Sequence, residues 1–209
     1  MATTARRLGA LVFPGFELLD VFGPLEMFGY VPGLEIQMIG TQSGAIASAQ
    51  GPRVWADDTL QETGALDILL IPGGRGTRTL AEKREFVESL TELARRSDLV
   101  LSVCTGSGLL AWTGLLDGRR ATSNKAALDW AATQGPKVQW QPSARWVREG
   151  SIVTSSGVAA GIDMALAVIA DLMGRDFARR IAHGTEYQWN EDPERDPFAR
   201  TDAAPAKSG

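Results

Sequence analysis

The chain has a single cysteine, Cys104, and a single histidine, His183, among its 209 residues. One cysteine forms no internal disulfide, which points to a reducing, cytoplasmic setting. One cysteine and one histidine also leave too few soft ligands for a structural zinc site, so no metal is expected. No run approaches the roughly 18 apolar residues of a membrane helix. Arg6-Arg7 before an apolar stretch faintly resembles a signal peptide, but Pro14, Gly15, Glu17 and Asp20 break the stretch early. Basic excess is absent too: 21 Lys and Arg against 25 Asp and Glu give a net charge of −4. That balance disfavours nucleic acid or an anionic membrane as the main partner. Neither Gly-x-Gly-x-x-Gly nor a terminal Gly-Lys-Ser/Thr is present, so there is no phosphate loop. No internal repeat and no second domain are seen.

What is present is a full-sized core, with 44% hydrophobic and 22% charged residues, both ordinary for a globular domain. Short apolar runs alternate with helical spacing, the mark of a mostly parallel sheet sandwiched by helices. Strands are predicted at residues 8–13, 35–40, 67–71 and 99–103, with helices over 16–28, 82–95, 125–133, 159–173 and 175–187. Residue 24 is a proline and interrupts the first helix. Residues 42–63 are predicted to hold short antiparallel pieces, 119–123 a short run, and 144–148 with 151–155 a hairpin around Glu149-Gly150. Residues 1–190 form one domain on this reading, and the Asp-, Glu-, Pro- and Lys-rich residues 191–209 a polar, flexible tail.

Cys104 carries the strongest chemical signal. It follows the apolar run Leu99-Val100-Leu101-Ser102-Val103 and precedes Thr105-Gly106-Ser107-Gly108, which opens a helix. A lone cysteine is often just a small buried residue. A thiol between strand and helix, however, sits on a tight turn at the sheet end, the cysteine counterpart of a nucleophile elbow. The first amides of the helix are expected there to favour thiolate. Asp20, among Leu18, Leu19, Val21 and Phe22, is the second candidate: burial would raise its pKa and keep it an acid able to donate a proton. The alternative is an acid on a solvent-facing side of the helix. Glu17 and Glu26 read as ordinary surface acids. Pro72-Gly73-Gly74-Arg75-Gly76 follows the strand expected to neighbour that of Cys104, and its amides, with that of Thr105, could steady negative charge. His183 reads as a solvated or capping residue late in a helix. The six tryptophans read as packing, although Trp112, Trp130 or Trp189 could line a pocket.

Several segments together resemble the ThiJ/PfpI superfamily, whose fold is flavodoxin-like and glutamine-amidotransferase-like. They are Phe13-Pro14-Gly15-Phe16, Leu19-Asp20-Val21-Phe22-Gly23-Pro24, Ile71-Pro72-Gly73-Gly74, Val103-Cys104-Thr105-Gly106-Ser107 and Gly157-Val158-Ala159-Ala160-Gly161-Ile162-Asp163. Protease- and glyoxalase-like members commonly carry histidine directly after the cysteine, where this chain has Thr105, and many members carry glutamate near the first strand, where it has Asp20. Aspartate, Cys-Thr-Gly-Ser and Ala-Gly-Ile-Asp together resemble the isocyanide hydratase branch. Those hydratases have Thr-Thr followed by His-Trp at Thr122-Ser123-Asn124-Lys125, which implies a different pocket wall here. The resemblance implies a hydro-lyase acting on a small-molecule substrate, an isocyanide, with Cys104 as nucleophile, Asp20 as acid and base, and Thr105 beside them. It also implies substrate or oxyanion contacts from Gly74, Thr105, Asn124 and Val158, no cofactor, and a homodimer. A glyoxalase- or deglycase-like hydrolase and a non-enzymatic redox-sensing or ligand-binding module are the alternatives. AraC-type regulators share such a domain, but only some 20 residues follow the last predicted helix, too few for a DNA-binding module.

Overall fold

The computed structural model describes residues 6–199. Its centre is a seven-stranded sheet. Three neighbouring strands, β1 (Arg6–Val12), β6 (Leu66–Ile71) and β7 (Ser97–Ser102), form its middle. Their near-continuous apolar runs suit strands covered on both faces. Outward from β1 lie β2 (Leu34–Gly40) and β5 (Asp58–Thr59). Beyond β7 lie β11 (Ile152–Ser155) and then β10 (Trp146–Glu149), the one antiparallel pair in this sheet. The expected antiparallel pieces are β3 (Gly44–Ala47) and β4 (Arg53–Ala56), which form a hairpin of their own.

Seven helices surround the sheet among the described residues: α1 (Leu18–Phe28), α2 (Gly76–Ala81), α3 (Arg84–Arg95), α4 (Gly106–Trp112), α5 (Leu128–Gln134), α6 (Ala160–Met173) and α7 (Arg175–Gly184). From β1, the connection through α1 to β2 runs one way along the sheet, whereas that from β6 through α3 to β7 runs the other way. Right-handed crossovers therefore put α1 and α3 on opposite faces, and the chain direction switches between β1 and β6. A crevice opens at such a switch point beyond the carboxyl ends of the strands. The loops carrying Gly73 and Cys104, and the segment leading into α1 with Asp20, leave from those ends of β6, β7 and β1. Close packing of α6 narrows this end further: a Cβ at Gly161 would lie 2.8 Å from Val103 Cγ1 and 3.3 Å from Pro24 Cγ.

Several elements differ from the sequence reading. Helix α1 begins only at Leu18, because Phe16 bridges Ser48 and Glu17 is extended. The helix expected over 125–133 is split into a 3-10 turn, Lys125–Ala127, and α5. The run at 119–123 yields only β8 (Arg120–Ala121), parallel to an unforeseen β9 (Gln139–Trp140).

The polar tail needs correction as well. Residues 191–199 pack on the body, because a buried guanidinium answers their charge. Arg145 donates from Nε to Asp163 Oδ2 at 2.6 Å, and its NH1 lies 3.7 Å from Asp196 Oδ2. All three side chains are buried. The Arg145 N–H donates to Pro193 O (2.7 Å), the Asp196 N–H to Ser143 O (2.8 Å), and the Asn190 N–H to Asp163 Oδ1 (2.9 Å). Residues 200–209 of the expected tail lie outside the described residues.

Candidate active site around Cys104

Cys104 occupies the turn between β7 and α4 with φ 57°. Side chains other than glycine rarely enter this left-handed region, which costs roughly 1–2 kcal/mol. Four hydrogen bonds hold it there. Its N–H is shared between Ser155 O (3.2 Å) and Ser156 O (3.3 Å), while its carbonyl accepts from Ser107 Oγ (3.0 Å) and Ser123 Oγ (2.9 Å). Strain that neighbouring bonds over-determine in this way is common at functional sites.

Asp20 comes to the same point from α1. It is fully buried, and Oδ2 accepts the Gly73 N–H at 2.8 Å. Oδ1 is buried without a well-formed hydrogen bond to any described residue, and the carboxyl neighbours the Cys104 thiol. Burial lifts the Asp20 pKa well above the usual carboxylate range; the Gly73 amide opposes the rise, the charge of Glu17 adds to it, and the thiol opposes it slightly. Burial thus favours the protonated carboxyl over the carboxylate. Glycine is required at 73, since a Cβ there would lie 2.6 Å from the Thr105 nitrogen and 3.0 Å from Asp20 Oδ2.

Asn124 faces the thiol from the other side. Its Oδ1 accepts from the N–H groups of Ala126 (2.9 Å) and Ala127 (3.1 Å), capping the 3-10 turn. The two donors fix the orientation of the amide and leave Nδ2 for the sulfur. A Cβ at Gly157 would sit 2.2 Å from Asn124 Nδ2 and 2.9 Å from Cys104 Sγ, so both atoms crowd this one position.

The helix-start expectation for Cys104 is overturned in its direction. Burial pushes the thiol well above its ordinary range and a charged Asp20 would push it further; the Thr105 N–H, the Asn124 amide and the Thr105 hydroxyl favour thiolate but do not win. Desolvation outweighs these few donors because the side chain is almost wholly buried. Burial thus favours the neutral form of both groups, thiol and carboxylic acid.

Gly74 also departs from the expected role. Its N–H donates to Thr105 Oγ1 at 3.1 Å, and the Gly76 N–H to Gly15 O at 3.2 Å. The Gly74 amide therefore braces Thr105 instead of facing a reacting atom. Val158 lines a cleft of about 430 Å³ beside this site, together with Asn124, Lys125, Ala126, Gly157 and Phe198.

Sequence reasoning missed Arg78. Its NH1 donates to Thr77 Oγ1 at 2.9 Å, Thr77 Oγ1 lies 3.3 Å from Thr105 Oγ1, and the guanidinium stacks 4.0 Å over the Trp130 ring. A cation thus ends a polar chain leading to the thiol; burial lowers the guanidinium's pKa, and negative charge on Cys104 opposes that fall. The sequence reading starts the next helix at residue 82 and assigns no element to residues 77–81, so Arg78 draws no attention there. His183 is exposed in the last turn of α7. Trp189 donates to Asp163 O and Trp112 to Gln134.

With the geometry in place, comparison with known proteins decides the lineage: residues 6–171 match the DJ-1/PfpI family. The chain belongs to that family. DJ-1/PfpI relatives of this chain include an isonitrile hydratase from Pseudomonas putida, 32% identical over 183 residues, which span 88% of this chain and 79% of the relative. The HTH-type transcriptional regulator GbdR of Pseudomonas aeruginosa is 30% identical over 192 residues, 87% of this chain but only half of the regulator. Among solved structures, a ThiJ/PfpI family protein from Pseudomonas syringae superposes with a TM-score of 0.81 at 30% identity, over 92% of this chain and 77% of the other. Family membership and the α/β fold agree with the sequence reading.

Proposed function

We propose that this protein hydrates an isocyanide, R–N≡C, to an N-substituted formamide through a thioimidate on Cys104. The observation that carries the reading is the buried Asp20 acid, held by the Gly73 amide beside the thiol. No histidine is available there, since His183 is exposed on α7. In the first step the sulfur bonds to the isocyanide carbon, Asp20 delivers its proton to that carbon, and the carboxylate receives the thiol proton. The product is R–N=CH–S–Cys104, and Asp20 is an acid again. In the second step Asp20 protonates the imine nitrogen. Its carboxylate then takes a proton from the water that adds to the carbon. Collapse of the adduct releases R–NH–CHO: the sulfur leaves as thiolate and recovers a proton from Asp20, whose carboxylate takes the hydroxyl proton of the adduct and is an acid again. The Thr105 N–H and the Asn124 amide stabilise charge on sulfur as it departs.

The isonitrile hydratase relative supports this reading. So does Thr105, where glyoxalase-like members would carry a histidine. On this reading the protein works in the cytoplasm, without a cofactor, as a homodimer. Leu19, Phe22 and Tyr30, each exposed by 42–50% on or beside α1, offer an apolar face for a second copy. The test is to mix purified protein with para-nitrophenyl and alkyl isocyanides and with methylglyoxal. Formamide released over many turnovers is the expected result. Steady lactate from methylglyoxal, with no formamide from any isocyanide, would replace the reading with a glyoxalase-like one.

A further inference from the structure

The far wall of the cleft is a residue that fold and mechanism leave unexplained. Phe198 is 71% exposed, the most exposed large apolar side chain among the described residues. Such a ring would be unremarked on a loose tail, but this one is braced. Asp196 is buried, its Oδ1 accepts the Phe198 N–H at 2.8 Å, and its carbonyl accepts the Ala199 N–H at 3.0 Å. Asp196 is itself tied to Ser143 O through its N–H and to Arg145 across 3.7 Å. The turn that presents Phe198 is thus anchored to the buried Arg145–Asp163 pair, and the ring stands over the cleft.

Across the cleft stand Asn124, Gly157 and Val158. Asn124 and Gly157 are the two residues that crowd Cys104 Sγ. The cleft that Phe198 lines is thus bordered by the two residues that adjoin the buried sulfur, and its volume suits a small organic ligand. Phe198, Val158 and Ala126 give the cleft an apolar lining, while the Lys125 ammonium is engaged in hydrogen bonds with Thr122 Oγ1 and Ala144 O.

We propose that Phe198 is a specificity-determining residue, a fixed apolar wall against which the organic substituent of the substrate packs while its reactive carbon meets Cys104. The proposal rests on the hydration reading for the nature of the reactive group, but the wall itself is testable without it. A substrate carrying an aryl or branched alkyl group gains from burial against the ring, whereas a one-carbon substituent does not.

The experiment compares alkylation of Cys104 by iodoacetamide and by N-benzyl iodoacetamide, in wild type and in Phe198→Ala and Phe198→Leu. Wild type is expected to favour the benzyl probe. Phe198→Ala should lower that preference by about five- to twentyfold, with the iodoacetamide rate changed by less than roughly twofold, and Phe198→Leu should keep most of it. For an aryl isocyanide the KM of Phe198→Ala should rise by a similar factor with kcat nearly constant. An unchanged probe ratio in Phe198→Ala would overturn the proposal. So would a change of sedimentation from dimer to monomer, because the ring would then be covered by a second copy. If the probe ratio shifts but no isocyanide is turned over, the apolar wall stands and the hydration reading falls.

Discussion

Adding one methyl group at position 157 probes the geometry around the thiol more sharply than removing any side chain. In Gly157→Ala the new Cβ would lie 2.2 Å from Asn124 Nδ2 and 2.9 Å from Cys104 Sγ. The sulfur is anchored by a turn held at four points, so Asn124 is the group that must give way. Its retreat removes a hydrogen bond to the thiolate, and hydrogen bonds to charged groups contribute about 1.5–3 kcal/mol. At 1.4 kcal/mol per factor of ten, this is a loss of about 10- to 150-fold in thiolate at a fixed pH below the thiol pKa. Overpacking adds about 1–3 kcal/mol of destabilisation, a fall in Tm of roughly 2–12 °C for a chain of this size. The assay is the rate of Cys104 alkylation by iodoacetamide against pH, with Asn124→Leu as companion. Both variants should shift the profile to higher pH, and combining them should add little beyond the larger single effect. A Gly157→Ala protein that alkylates within roughly twofold of wild type and melts at the same temperature would refute the reasoning.

Two further substitutions test the buried charges. The unfolded chain releases the Asp20 proton near pH 3.9, whereas the folded protein holds it to a much higher pH. Between those values the native state binds the extra proton, so this group makes stability fall as pH rises through the window. Asp20→Asn should therefore be more stable than wild type at pH 7 and lose that advantage below about pH 4, while turnover drops by about 10²- to 10⁴-fold; equal stability differences in urea unfolding at both pH values would contradict this. Arg145→Ala leaves the buried Asp163 and Asp196 without their partner. It should cost about 3–5 kcal/mol, roughly 6–20 °C in Tm, and speed hydrogen exchange in residues 190–199.

How much of this was legible in the sequence depends on the range of the interactions. Cys104 was visible because an apolar strand followed by Thr-Gly-Ser-Gly is a local pattern, and Asp20 because four apolar neighbours surround it in the chain. The hairpin at Glu149-Gly150 announced itself the same way. Helix α2 was missed because its six residues, Gly76–Ala81, carry no amphipathic period, and Arg78 went with it. The segment after Asn190 looked disordered because its acids have no local partner; Arg145, which answers Asp196, lies 51 positions away at the start of β10. The thiol was expected to favour its charged form on the strength of a helix start. Local sequence shows the amides but not the depth of burial, and burial decides the direction. Gly74 failed for a related reason, since the partner of its amide, Thr105, comes from a different loop.

Covalent hydration by Cys104 is tested most directly by rapid-quench mass spectrometry of the Cys104 peptide during turnover of an aryl isocyanide. The account expects a transient species heavier by the mass of one isocyanide, longer-lived in Asp20→Asn, and in Cys104→Ala neither adduct nor formamide. Formamide from Cys104→Ala at more than roughly a tenth of the wild-type rate, with the protein still folded, would contradict it.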